Sequence, residues 1–348
     1  MKRYTPEHSR ATAALHVALL LLLLGCGSRP AAVTPPRAVC RQDPPMEACR
    51  SPGEVEAWLA RRDLAILASE ETSKGKQRAR ILTLLVPSDG IIFRAKWRAW
   101  WTNTPHNRPR RELAAHHVQR LFLLPHEYVV PPATGHCFPL ETYRKHVEPK
   151  AQPTFPGTRC VYGILSYWLE DAIGTRDAMK QGLLHALIDE KLFERNEIYR
   201  RSIASVNLLA YLISHGDSHK QQFVFTGGRD LYANIVDNSI SFSDYRNPLV
   251  TGRDDLSVLH VPAVPAEAIE RLRHSDVRKL AVLEQYRVDS GGILMRTRPT
   301  AIMSNPERGV RRHEDELQVG LTTNELAEVQ RRIVVLTTRA AAGELKLF

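Results

Sequence analysis

The sequence has no Cys-x-x-Cys pair, no long run of basic residues, no internal repeat and no apolar stretch of membrane-spanning length. Each absence removes a class. Without cysteines at ligand spacing there is no zinc site of the finger or ribbon kind. Without a repeat the chain is not a solenoid or a propeller. The formal charge is +10, from 48 Lys and Arg against 38 Asp and Glu, a balance that favours phosphates or an anionic membrane face. Because these charges are spread along the chain, no nucleic-acid partner is expected. What remains is ordinary globular composition, 43% hydrophobic and 25% charged over 348 residues.

The N-terminus predicts export. A basic start, "MKRYTPEHSR", precedes the apolar run at 11–24 and then "GCGS", the order of a secretory signal. The run is shorter than the ~20 residues a membrane helix needs. Leu23, Leu24, Gly25 and Cys26 resemble the lipobox of bacterial lipoproteins. That resemblance implies cleavage of 1–25, a lipid on Cys26, and membrane attachment through it at the bacterial envelope. Gly27 in place of an aspartate leans towards the outer membrane. The alternative is a short uncleaved anchor with an incidental cysteine.

Cys40, Cys49, Cys137 and Cys160 remain after Cys26. An even number beyond an export signal reads as disulfide usage. Sequence leaves the pairing open, and local loop closure favours Cys40 with Cys49 and Cys137 with Cys160.

Residues 26–50 are rich in proline and read as a tether. Ser51, Pro52 and Glu54 then carry a capping box, so a helix is predicted to about Leu67. "ARILTLLVPSDGIIFRAKWRAWW" reads as a hairpin, 108–122 as a helix, and "EYVVPP" and "RCVYGILSYWL" as two further strands. From about 170, "AMKQGLLHALIDEKLF" and "RRSIASVNLLAYLIS" read as helices, and helices are expected to dominate after 262.

"FRAKW", "RRELAAHH", "YLISHGDSHKQQFVF" and "NIVDNSISF" stand in that order along this α+β pattern. Together they resemble the atypical branch of the protein-kinase-like fold: Golgi casein kinase-type secretory kinases, type II phosphatidylinositol 4-kinases and aminoglycoside or choline phosphotransferases. The resemblance covers roughly 75–245. It implies a bilobal architecture, with a β-rich small lobe over 51–169 and a helical large lobe over 170–348. It further implies ATP with Mg²⁺ or Mn²⁺, and transfer to a protein or carbohydrate hydroxyl.

The site residues follow from the same resemblance. Lys96 would hold the nucleotide phosphates and Glu112 would be its ion-pair partner. Asp217 would orient the acceptor hydroxyl as base, and Asp237 would bind the metal. Gln222 stands where many relatives carry a metal-binding Asn, a departure. Gly75 is all that remains of a glycine-rich loop in "ETSKGKQRARI". Read plainly, Lys96 and Glu112 are surface charges, Gly75 sits in a basic linker, and the aspartates belong to hairpin turns, which Asp favours anyway. His215 and His219 lack a third zinc ligand, and Trp97, Trp100 and Trp101 suit packing or a rim. A pseudokinase that binds a nucleotide or partner without transfer is the competing expectation.

Overall fold

The computed structural model describes residues 39, 49–72, 79–102, 107–219, 221–248, 250, 252 and 255–348. These fall within one compact unit, Thr34–Phe348. Cys26, Cys40, Gly75 and most of 1–50 lie outside the described residues. No described helix is long and apolar enough to cross a membrane.

The chain is mixed α+β with antiparallel sheets. Strands β1 (Ala65–Glu71), β2 (Arg80–Val86), β3 (Ile91–Ala99), β4 (Ala133–Pro139) and β5 (Cys160–Tyr167) form the first sheet, ordered β1-β2-β3-β5-β4. The helix Arg110–Gln119 lies between β3 and β4 in the chain. Alternation on β3 sends Phe93, Ala95, Trp97 and Ala99 into the core, leaving Arg94, Lys96 and Arg98 on the other face. Leu82, Leu84, Phe138, Val161 and Leu165 complete that core beneath the Pro52–Leu59 and Leu140–His146 helices. At ~25 cal/mol per Å², burying side chains this large is the main force holding the sheet together.

Ser51 and Glu54 form the expected capping box, and Pro52 opens the helix. The helix stops at Leu59, however, not near Leu67. The apolar run from Ala65 pairs with β2 instead, Ile66 opposite Leu84, and tertiary pairing overrides helical periodicity. The "EYVV" strand is also displaced. The Val129 and Val130 N–H groups donate to Gln119 Oε1 (2.9 and 2.8 Å), two prolines without N–H follow, and the ladder starts at Ala133.

The Cys137–Cys160 disulfide forms as expected, across β4 and β5. Cys49 is disulfide-bonded too, while its expected partner Cys40 lies outside the described residues.

The region from 170 begins with a short strand, β6 (Ile173–Gly174), and breaks its helical pattern early. The Thr175–Lys180 helix ends where Gly182 takes φ +69. Asp189 and Asn196 then cap Glu190–Arg195 and Glu197–Leu212 in turn. The long Glu197–Leu212 helix is followed by a hairpin, β7 (Phe223–Thr226) and β8 (Tyr232–Ile235), with β6 on the free side of β7.

The expectation that helices dominate after 262 needs correction. Between helices Ala266–Arg273 and Thr323–Ala341 lies a four-stranded sheet ordered β10-β9-β12-β11: β9 (Glu284–Val288), β10 (Leu294–Thr297), β11 (Val310–His313) and β12 (Glu316–Val319). Its strands are four or five residues long and carry many charges, so alternation is too brief to read in the sequence. Buried Glu284 ties this sheet to β4, accepting from Thr134 Oγ1 (2.7 Å) and Gly135 N–H (2.8 Å).

Candidate functional site

Lys96 and Arg98 share the face of β3 opposite the apolar core, and the Arg110–Gln119 helix sets Glu112 against them. Lys96 Nζ lies 3.0 Å from Glu112 Oε1 and 3.1 Å from Asp237 Oδ1. Arg98, only 2% exposed at its side chain, reaches the same Asp237 oxygen at 3.0 Å. It also donates to Ser239 Oγ and Asn107 Oδ1, both at 2.6 Å. Glu112 Oε2 accepts the Asn238 backbone N–H at 3.0 Å. Two cations and two carboxylates thus balance in a largely dry setting, where a lone charge would be costly.

Asp237 sits in the turn after β8 with φ +59, a left-handed conformation that a residue other than glycine adopts at some cost. Burial pushes its carboxyl up, but Lys96 and Arg98 outweigh this and hold it far below the usual carboxylate range. The contacts from these cations and from Ser239 all fall on Oδ1. The side chain keeps 36% exposure, so the carboxylate is open on one side. Next to it Asn238 is buried, and neither end of its amide finds a partner among the described residues. Such an orphan marks a place for water or a ligand.

The second aspartate lies in the turn after the Glu197–Leu212 helix. Asp217 Oδ1 accepts from Asn247 Nδ2 at 2.6 Å, and Oδ2 from Gln222 Nε2 at 2.9 Å. His219 Nε2 stands 3.5 Å from Oδ1. Gly216 is required by close approach, since a Cβ there would meet the Tyr245 carbonyl oxygen at 2.2 Å.

Phe223 pairs with Ile235, so the segments before β7 and after β8 emerge side by side at one end of the hairpin. Val236 N–H to Gln222 O (2.9 Å) and Gly216 N–H to Ile240 O (2.8 Å) zip them together. His215 is buried between them, its Nδ1 3.3 Å from the Asp217 N–H. Burial pushes its imidazole down to about 4 despite the opposing charge of Asp237, so the ring is neutral at pH 7.

The structure therefore brings Lys96, Glu112 and Asp237 into direct contact, and Asp217 and Gln222 into a second set on the adjoining turn. Gly75 lies in the segment 73–78, outside the described residues. Trp97 is core, its Nε1 donating to Tyr143 Oη at 3.0 Å, while Trp101 is 41% exposed.

Arg98, Asn107, Asn247 and Ser239 were missed in the sequence. Arg98 carried a signal, because period 2 places it on the face of Lys96. Asn247 carried none, being 30 residues from Asp217.

Among the described residues no cluster of three or more His, Cys, Asp or Glu could hold a metal ion. A divalent ion here would have Asp237 as its carboxylate and further oxygens from its own phosphate ligand, a mode Mg²⁺ commonly uses. No family model matches the chain and no curated protein shows significant similarity to it, so the chemistry rests on the geometry of these residues.

Proposed function

We propose that this protein is a metal-nucleotide-dependent phosphotransferase of bilobal, protein-kinase-like design, held at the bacterial envelope by a lipid on Cys26. One observation carries the reading: a lysine on the third strand lies 3.0 Å from the carboxylate of the following helix and 3.1 Å from Asp237. Phosphoryl transfer needs a cation on the phosphates, a carboxylate to aim it, a metal-binding acid and a hydroxyl-orienting base. The sheet order β1-β2-β3-β5-β4, with the Glu112 helix between β3 and β4, supports the same design.

In this reading Glu112 holds Lys96 extended, and Lys96 turns from Asp237 towards the nucleotide phosphates. Asp237 and the Gln222 amide oxygen are the residues that would hold Mg²⁺ or Mn²⁺. The ion, when bound with ATP, neutralises charge on the transferred group. Asp217, fixed by Asn247 and Gln222, orients the acceptor hydroxyl of a protein or carbohydrate and accepts its proton.

A specific observation favours a second reading, a pseudokinase. Arg98 already supplies a buried cation to Asp237, and both Asp217 oxygens are taken by amides.

Thermal shift with ATP and each divalent metal, followed by radiolabel transfer to envelope extract, separates the two. Asp237→Ala should abolish nucleotide-dependent stabilisation and transfer together. Asp217→Ala should keep binding while transfer falls by about 10² or more. Absence of nucleotide binding with any metal refutes the kinase-like reading. Binding with transfer equal in wild type and both variants leaves the pseudokinase.

A further inference from the structure

Beside Trp100 a cavity of about 300 Å³ opens between the start of the Glu112 helix and β11, lined by Arg108, Arg110, Glu307, Arg308, Gly309 and Val310. Its lining carries three guanidiniums against one carboxylate. The surroundings deepen that excess. Glu325 binds both Arg110 (2.7 Å) and Arg111 (3.1 Å). Among the described residues, buried Arg311 donates to the neutral carbonyls of Ala281 and Leu321, both at 2.7 Å. Burial pushes Arg111 down to about 10, and repulsion from Arg110 and Arg108 adds to the effect.

Two of the arginines are uncommitted. Arg108 Nε is buried with no partner among the described residues, and no described carboxylate pairs with Arg108 or Arg308. An unpaired buried donor is costly, and a guanidinium fork matches tetrahedral oxyanions geometrically. Gly309 allows Arg110 to form the floor, since a Cβ there would lie 2.3 Å from the Arg110 guanidinium carbon. The Trp100 indole offers a flat apolar wall for the organic part of an ester.

We infer that this cavity binds a phosphate or sulfate monoester, its oxyanion between Arg108 and Arg308 above Arg110. The inference does not rest on the phosphotransfer reading. Its place gives it a reach into the candidate site. The Arg108 N–H donates to Ser239 O at 3.1 Å, and Asn107 Oδ1 holds Arg98 at 2.6 Å. A ligand on Arg108 therefore steadies the segment that supports Arg98 and the Asp237 turn.

The test titrates the full chain with phosphoserine and, separately, sodium sulfate, at ionic strength held constant with NaCl. Thermal stability and tryptophan fluorescence are the readouts. Saturable stabilisation is expected, with the midpoint weakened about tenfold or more in Arg308→Gln and in Arg108→Gln, the scale of a charge-assisted contact. Glu307→Gln should tighten it severalfold. A tighter midpoint for phosphoserine than for sulfate supports the ester site, and an equal or weaker one overturns the ester while leaving an oxyanion site. A non-saturating rise shared by wild type and both arginine variants overturns it, as do wild-type midpoints in both. Arg308 is exposed, so its variant tests the site without threatening the fold.

Discussion

Acidification from pH 7 to pH 4 should destabilise this protein by several kcal/mol, a loss that its buried histidines begin above the carboxylate range. His136 and His215 are buried, and burial pushes each imidazole down to about 4, opposed by the Leu59 backbone at His136 and by Asp237 at His215. An unfolded histidine titrates near 6.5. Between those values the unfolded chain binds the extra proton, so stability is full above pH 6.5 and is lost as the pH falls to about 4. Each histidine contributes ~3 kcal/mol over that window, and the pair about 6, against a typical total of roughly 5–15 kcal/mol. Glu56 adds a separate, later loss. Burial raises its carboxyl, but His116 and Arg120 hold it at about 2, so its share disappears between about pH 4.5 and 2. Denaturant unfolding at pH 7, 6, 5 and 4.5 reads the slope. His136→Leu isolates one proton, because His136 packs against Phe138 with ring centroids 4.2 Å apart and its Nε2 has no partner among the described residues. The variant should lie within about 1 kcal/mol of wild type at pH 7 and exceed it by about 2 kcal/mol at pH 4.5. A stability flat from pH 7 to 4.5, or a variant with the wild-type slope, would refute the reasoning.

Gly163→Ala should destabilise by about 3 kcal/mol, because its Cβ would lie 2.4 Å from the Arg98 carbonyl oxygen and 2.7 Å from the Trp97 ring; an unchanged denaturation midpoint would count against that packing. Cys137→Ser with Cys160→Ser opens a cross-link of sequence separation 23 and should cost about 3 kcal/mol, and free thiols at both positions in exported protein would sink the pairing. Glu325→Ala should cost about 3–5 kcal/mol by stranding Arg110 and Arg111, and a thermal midpoint within a degree of wild type would contradict it. If Cys26 is lipidated, Cys26→Ser moves the protein out of the membrane fraction and stops palmitate labelling; unchanged fractionation argues for a different anchor.

Sequence by itself determined the elements whose signal is local. Ser51, Pro52 and Glu54 set a helix start through their own side chains, and Pro87-Ser-Asp-Gly90 turns one strand onto the next, Val86 pairing with Ile91. The period-2 pattern of β3 was equally legible, as was the Cys137–Cys160 loop. The order of Lys96, Glu112, Asp217 and Asp237 was visible as well, because it is simply their order along the chain.

Tertiary structure decided the rest, wherever a residue's partner lies far along the chain. Ala65–Glu71 became a strand because β2 offered unpaired backbone, and Val129 and Val130 left the sheet because Gln119 took their N–H groups. The C-terminal sheet joins short charged strands whose stability comes from neighbours such as β4, not from their own propensity. Above all, the second cation on Asp237 and the amides on Asp217 depend on folding alone. Arg98 meets Asp237 across 139 residues, a contact that only folding makes, with the Glu112 helix laid on the sheet and the turn after β8 brought up beside it.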